Sequence, residues 1–447
     1  MKERVLSIFN IRPGERTPLL LFTLILFANM LSLETTFVVA TSGFLSQIGV
    51  EQVPILWLVD MTIILVGTAG YSLVIDRLPR KTLLQWLIFS LAMVYLLIRV
   101  LFTYNTPDWL TYPLLYLLAE QQFLLVPIIF WALANDVYNV SQTKRLFPIM
   151  AAGGVIGGIL GNTLAASSAD FFIQRGLAPY ELLLVNALIL LISFATFQIF
   201  GRQIQTANRQ DRSMSAMRET LKEGWDFVKN VDTFRYLTIV MLGMGFALTI
   251  LEFHFLTITS QTFEGLAFQT FYGWFRVAQT VAILLMQGLI ASRIINRVGL
   301  KKVFSVLPVS LVVLTLGVLA IPGAIGIITA RLLGRVILFG LDEPARKSLQ
   351  GLIPDERRGR VSAFLDGYLY ATGTIVASLI LIALLAAVGV GWLSGNALVW
   401  VYLVGGVVIG LVSIWAAQRL RVKYDTSMLN WRLARRRRRS SNFNLDF

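Results

Sequence analysis

Glu34-Thr35-Thr36-Phe37-Val38-Val39-Ala40-Thr41-Ser42 lies inside a long apolar run, and Glu252, Thr259 and Ser260 repeat its landmarks further along the chain. Glu34 and Glu252, Thr41 and Thr259, and Ser42 and Ser260 all keep one offset of 218 residues, as do Gly70 and Gly288. The loops that follow are alike after a two-residue insertion: Asp76-Arg77-Leu78-Pro79-Arg80-Lys81, then Asn296-Arg297-Val298-Gly299-Leu300-Lys301-Lys302. Chance can supply one such match. A set in register is the mark of duplication, so the chain reads as two homologous halves.

Working outward, the runs around these landmarks are membrane spans. The chain is 56% hydrophobic and only 14% charged, whereas soluble domains carry about 25% charged residues. A spanning helix needs about 20 mostly apolar residues. Twelve stretches qualify: 17–42, 54–75, 82–104, 111–136, 147–168, 180–201, 234–259, 267–292, 303–321, 324–343, 361–389 and 396–417. The cationic residues support that count. With the N-terminus inside, the inner segments hold 33 of the 39 Lys and Arg and the outer loops hold only Arg175. One missed span would invert every later loop and destroy this bias, so an even number of spans with both ends cytoplasmic is expected. The expected plan is all-α and polytopic: a six-helix half over 1–201, a cytoplasmic linker over 202–233, a second six-helix half over 234–418 and a basic cytoplasmic tail over 419–447. The linker should form an amphipathic helix with Met217, Leu221, Trp225 and Val228 on its apolar stripe.

Composition also narrows the chemistry. The chain has no cysteine and one histidine, His254, which leaves no disulfide, thiolate site or zinc cluster. No Gly-x-x-x-x-Gly-Lys-Ser/Thr loop is present to bind a nucleotide for hydrolysis. Gly153, Gly157 and Gly161 are spaced four apart within a span, which is the pattern of close helix packing. The net charge of +14 does not mark a nucleic-acid binder, because the basic residues sit in short loops between apolar runs. The five arginines Arg435–Arg439 read as a flank that meets anionic lipid. No enzymatic constellation can be assembled and no cofactor is implied.

The segment Gly70 to Lys81 resembles the loop signature of the major facilitator superfamily, whose plan is two six-span halves in parallel repeat. Three further stretches carry a narrower resemblance. They are Glu34 to Ser42, then Phe130-Trp131-Ala132-Leu133-Ala134-Asn135-Asp136, and then Lys144-Arg145-Leu146-Phe147-Pro148 with the glycine run after it. Together they are similar to the ATP/ADP translocase family of bacterial and plastid nucleotide transporters. The resemblance implies a membrane carrier working by alternating access, with an acid–base latch at Asp76, Arg77, Arg80 and Arg297, and a nucleotide-like substrate.

Ionisable residues inside spans are the candidate site. A charge at mid-membrane costs about 2.5–3.5 kcal/mol on insertion scales, so such groups usually face a polar path. Glu34, Glu120, Glu252, His254, Arg276, Arg331 and Arg335 are the expected substrate-binding set. Arg331 and Arg335 are four apart and share one face of span ten. Asp60 and Arg99 lie toward the outer face and are expected to gate or to brace. The leading function is secondary transport of a small anionic solute, since the arginines can pair with phosphate or carboxylate. The alternatives are a proton-coupled carrier using Glu34, Glu252 and His254, and a non-transporting receptor or anchor on a carrier scaffold. The expected setting is the cytoplasmic membrane, as a monomer, with a small-molecule substrate and lipid as partners.

Overall fold

The computed structural model describes residues 11–75, 79–201, 217–350, 353, 361–362 and 364–443. The described residues are almost entirely helical, with no strand among them, and twelve helices are long and apolar enough to cross a membrane. They run Arg16–Gln47, Val50–Gly67, Arg80–Thr103, Asp108–Val137, Ser141–Ala169, Pro179–Phe200, Asp232–Thr262, Leu266–Val298, Leu300–Ala320, Ala324–Gln350, Phe364–Gly389 and Gly395–Thr426. These are spans one to twelve below. Spans nine and ten are parted as the sequence suggests: the helix stops at Ala320, and Gly323 takes a φ of 150° that a side chain would disfavour.

The chain folds into two compact units. The first comprises Met1–Val50, Leu73–Met214 and Phe263–Thr280; the second comprises Glu51–Ser72, Ser215–Thr262 and Val281–Phe447. The start of span eight groups with the first unit because its Gln269 donates to the Ala165 carbonyl at 2.9 Å and its Gly273 lies against Ala166 of span five.

Span one is the most buried span of the first unit. It meets span five through glycine: a Cβ on Gly157 would stand 2.3 Å from the Phe27 carbonyl oxygen, and one on Gly161 the same distance from that of Leu31. Only a hydrogen fits at these crossings. Facing spans three, four and six, span one carries a fully buried neutral network. Gln122 donates to Asn29 Oδ1 at 3.0 Å and Ser32 Oγ at 2.9 Å, and accepts from the Tyr95 hydroxyl. Asn186 donates to Thr36 Oγ1 at 2.9 Å. Such bonds join spans where hydrophobic burial gives no drive.

Span seven holds the same place in the second unit and is its most buried span. Its Gly245 and the Gly373 of span eleven again bring backbones together, with a Cβ on Gly373 falling 2.5 Å from the Leu242 carbonyl oxygen. An apolar cluster gathers Val228, Phe234, Val303, Leu349, Leu365 and Leu420. Three π-helical segments occur among the described residues, at Met286–Ala291, Leu338–Asp342 and Phe364–Leu369, and all three belong to this unit.

Two expectations change. The linker helix forms at Met217–Asn230, but Trp225 is exposed while Gly224 and Val228 are buried. Gly224 turns the packed face because the Phe364 ring comes within 2.4 Å of where its Cβ would be. The side chains of Met217 and Leu221 lie outside the described residues. Span twelve does not end near 417 but runs to Thr426, and its helix continues beyond the span to Phe443, taking in Arg435–Arg439.

Candidate functional site

Among the charged groups of the described spans, two clusters gather the acids of the repeat, one in each unit. In the first, Glu34 Oε2 accepts from Arg276 Nη2 at 2.6 Å, Arg276 Nε at 2.9 Å and Asn162 Nδ2 at 2.9 Å. Span five reaches the carboxylate because Gly158 leaves room: its absent Cβ would be 3.4 Å from Glu34 Cγ. The Arg276 guanidinium lies 5.0 Å from the Phe37 ring centroid and bonds the Tyr272 hydroxyl at 3.3 Å. Aromatic faces suit a guanidinium withdrawn from water.

In the second cluster Glu252 takes two guanidinium groups. Arg331 binds it in a fork, Nη2 to Oε1 at 2.8 Å and Nε to Oε2 at 3.0 Å, and Arg335 Nη2 reaches Oε2 at 3.0 Å. The one-face spacing on span ten delivers both arginines to one acid. They differ in access: the side chain of Arg331 is 4% exposed and that of Arg335 is 23% exposed. Arg331 also lies over the Phe255 ring at 4.7 Å. Glu252 thus meets two guanidiniums, whereas Glu34 meets one.

His254 stands apart from both clusters. It is buried, and its Nδ1 is 2.7 Å from the Tyr402 hydroxyl of span twelve. Residues two apart on a helix do not share a face, so Glu252 turns to span ten while His254 turns to span twelve. Glu120 is half-buried on span four, beside Ala119, which packs on Leu33 and Phe37.

The expected latch is covered in part. Asp76 and Arg77 lie outside the described residues. Arg80 Nη1 donates to both oxygens of Asp136 at 2.8 Å, tying span three to the end of span four. Arg297 is exposed on the last turn of span eight. In the second unit Asp342 pairs with Arg346 at 2.8 Å, and Asp366 accepts from Lys347 at 2.6 Å. Toward the other end, Arg99 grips Glu181 through Nη2 at 3.1 Å, and Asp60 is fully buried.

Reasoning confined to ionisable groups missed Asn162, Gln122 and Tyr402. A side-chain amide or a polar aromatic within an apolar span is the signal that could have found them. Among the described residues, no group of His, Asp and Glu could hold a metal ion.

The twelve-span fold is of the major facilitator type. It is similar to the nucleoside transporter NupG, with a TM-score of 0.63 and 12% identity over 91% of this chain and 98% of that one. It is also similar to a bacterial homologue of the iron transporter ferroportin in an inward-facing state, with a TM-score of 0.61 and 16% identity over 90% and 98%. A POT family transporter in complex with 5-aminolevulinic acid gives 0.62 and 11% over 92% and 96%. At such identities the likeness speaks for the fold. No curated protein sequence matches the chain. The family model for TLC ATP/ADP transporters does match, over residues 8–336, and the two ion clusters of spans one, seven, eight and ten therefore lie in a multi-pass membrane transporter that belongs to the TLC ATP/ADP transporter family.

Proposed function

We propose that the protein is a secondary transporter of a small organic anion, with the Glu252–Arg331–Arg335 cluster as its anion-binding centre. The observation that carries this reading is the convergence of two span-ten guanidiniums on Glu252 within a membrane span, one of them 4% exposed and the other 23% exposed. A phosphate or carboxylate entering beside Arg335 offers oxygens matched to a guanidinium fork. It would compete with Glu252 for the more accessible arginine, while Arg331 stays clamped. Binding that exchanges one partner for another changes which packing of spans seven and ten is favoured, and that is how a solute drives a conformational change. With no ATP-hydrolysing motif in the sequence, an ion gradient or counter-exchange supplies the energy. On the charge pattern of the loops, both termini are cytoplasmic, the host is the cytoplasmic membrane, and the basic tail meets anionic lipid.

The test is uptake by purified protein in liposomes, using ATP, inorganic phosphate and a dicarboxylate as probes. At least one probe should be taken up by the parent, and Arg335→Ala should lose that uptake while eluting as a folded monodisperse species. Normal uptake by Arg335→Ala would overturn the assignment.

A further inference from the structure

Spans seven and twelve are joined along one antiparallel register. A Cβ on Gly243 would run into Ser413 Oγ, Gly406 lies against Ile250, and His254 Nδ1 meets the Tyr402 hydroxyl at 2.7 Å. From pair to pair the chain advances seven and then four residues along span seven, and returns seven and then four along span twelve. At the start of span seven, Asp232 and Lys423 close the seam at 3.5 Å. Gly243, Ile250 and His254 form a single stripe, because seven and eleven residues come close to whole numbers of helical turns. The glycines set how near the two helices come. The hydrogen bond is directional, so it sets how span seven is turned. His254 and Tyr402 are 4% and 2% exposed, and a buried polar group that loses its partner pays the full cost of desolvation.

We propose that His254 is a positioning residue: bonded to Tyr402, it holds span seven at the rotation that aims Glu252 at Arg331 and Arg335. At about 100° per residue, Glu252 lies about half a turn from the middle of the stripe. Span twelve therefore grips the back of a helix whose front carries the acid. Any turn of span seven about its axis carries the carboxylate sideways across span ten. His254 thereby acts on the anion centre without touching it, and this inference rests on the anion-binding reading above. In that reading the anion displaces Glu252 from Arg335. A loosely aimed Glu252 competes less well, so the anion binds more tightly. Its arrival then exchanges less of one partner for another, and biases the packing of spans seven and ten less. Loss of the bond lowers KM and turnover together, whereas general damage to the fold does not tighten binding.

Tyr402→Phe keeps the ring and removes the hydroxyl. In liposomes, with whichever of ATP, inorganic phosphate or a dicarboxylate the parent takes up, its KM and maximal rate should each fall about fivefold. His254→Asn offers an amide acceptor and donor close to the place of Nδ1, and should keep the parent values. A second measurement needs no substrate. Thr249 Oγ1 of span seven donates to Thr374 Oγ1 of span eleven at 3.1 Å, and the chain has no cysteine. Disulfide formation between Thr249→Cys and Thr374→Cys, followed as loss of free thiol to a PEG-maleimide, therefore reports how span seven is turned. Adding Tyr402→Phe should slow it about threefold or more, and adding His254→Asn should not. An unchanged disulfide rate in Tyr402→Phe, a KM that is unchanged or rises, or a His254→Asn as impaired as Tyr402→Phe would overturn the proposal. If the disulfide rate responds as expected but the parent takes up none of the probes, the anion reading fails while the hold on span seven stands.

Discussion

Glu34 and Glu252 occupy one register of a duplicated chain and have come to hold different things. Glu34 pairs with one arginine from span eight and an asparagine from span five. Glu252 pairs with two arginines from span ten. The counterpart of span ten in the first half is span four, and there a neutral buried side chain, Gln122, bonds span one. Duplication preserved where the acid sits while the neighbouring helices changed what it meets. The position of a charge in a membrane repeat is thus set by the fold, and its role by the opposite side chain.

The largest contrast should appear when each acid is removed. Glu252→Ala takes the carboxylate from two guanidiniums, one of them almost fully buried. Breaking a buried pair from one side costs about 3–5 kcal/mol, so thermal unfolding in detergent should fall steeply. Glu34→Ala strands one guanidinium that is 16% exposed and rests on aromatic faces, and should cost roughly half as much. Equal losses would mean that the two clusters are energetically alike. Exchanging the partners sharpens the point: Arg331→Ala should destabilise the protein, while Arg335→Ala should mainly remove function.

The glycine crossings give the next effect. Gly157→Val drives a side chain into the Phe27 carbonyl and should cost about 1–3 kcal/mol as overpacking. Gly405→Ala, with nothing within 4 Å of its Cβ, should be neutral or stabilising by about 0.5–1 kcal/mol through helix entropy. Comparing the two variants by thermal shift tests whether glycine serves span packing or simply tolerates it.

The smallest effect lies outside the spans, at Glu15. Burial raises its pKa, but hydrogen bonds from Arg145, the Arg12 amide and Gln142 outweigh this and bring it down to about 2 from 4.5. A lowered folded-state pKa means the contribution is complete above about pH 4.5 and is lost as pH falls toward 2. Glu15→Gln should lower the melting temperature at neutral pH and flatten its acid limb, so that the variant and the parent converge as pH falls toward 2. An unchanged acid limb would remove Glu15 from the account.

Much of this was legible before any coordinates. Span count and the register of Glu34 with Glu252 follow from hydropathy and repetition, because lipid exposure constrains composition strongly. The spacing of Arg331 and Arg335 announced a shared face. Partnership was not legible: nothing in the sequence says that Arg276 meets Glu34 rather than Glu252, because that choice depends on which spans touch. Trp225 was misread for a related reason. Its helical spacing fits a packed stripe, but a glycine one residue earlier gave Phe364 a better seat. The amide network at Gln122 went unseen because uncharged polar residues in a span give a weak signal.

The π turn at Met286–Ala291 bears on the history of the repeat. The offset between the halves is 218 residues at Gly70 and Gly288, and 220 at Arg77 and Arg297. A π turn takes up one residue more than an α turn without breaking the rod, and Gly299, at a φ of 83°, makes a bend before the helix resumes. The π turn gives one of the two extra residues between Gly288 and Arg297 a place to reside. The wider turn leaves span eight with a phase shift between its Arg276 face and its loop. The second copy could therefore re-aim one end of this span while the other end kept its ancestral bearing.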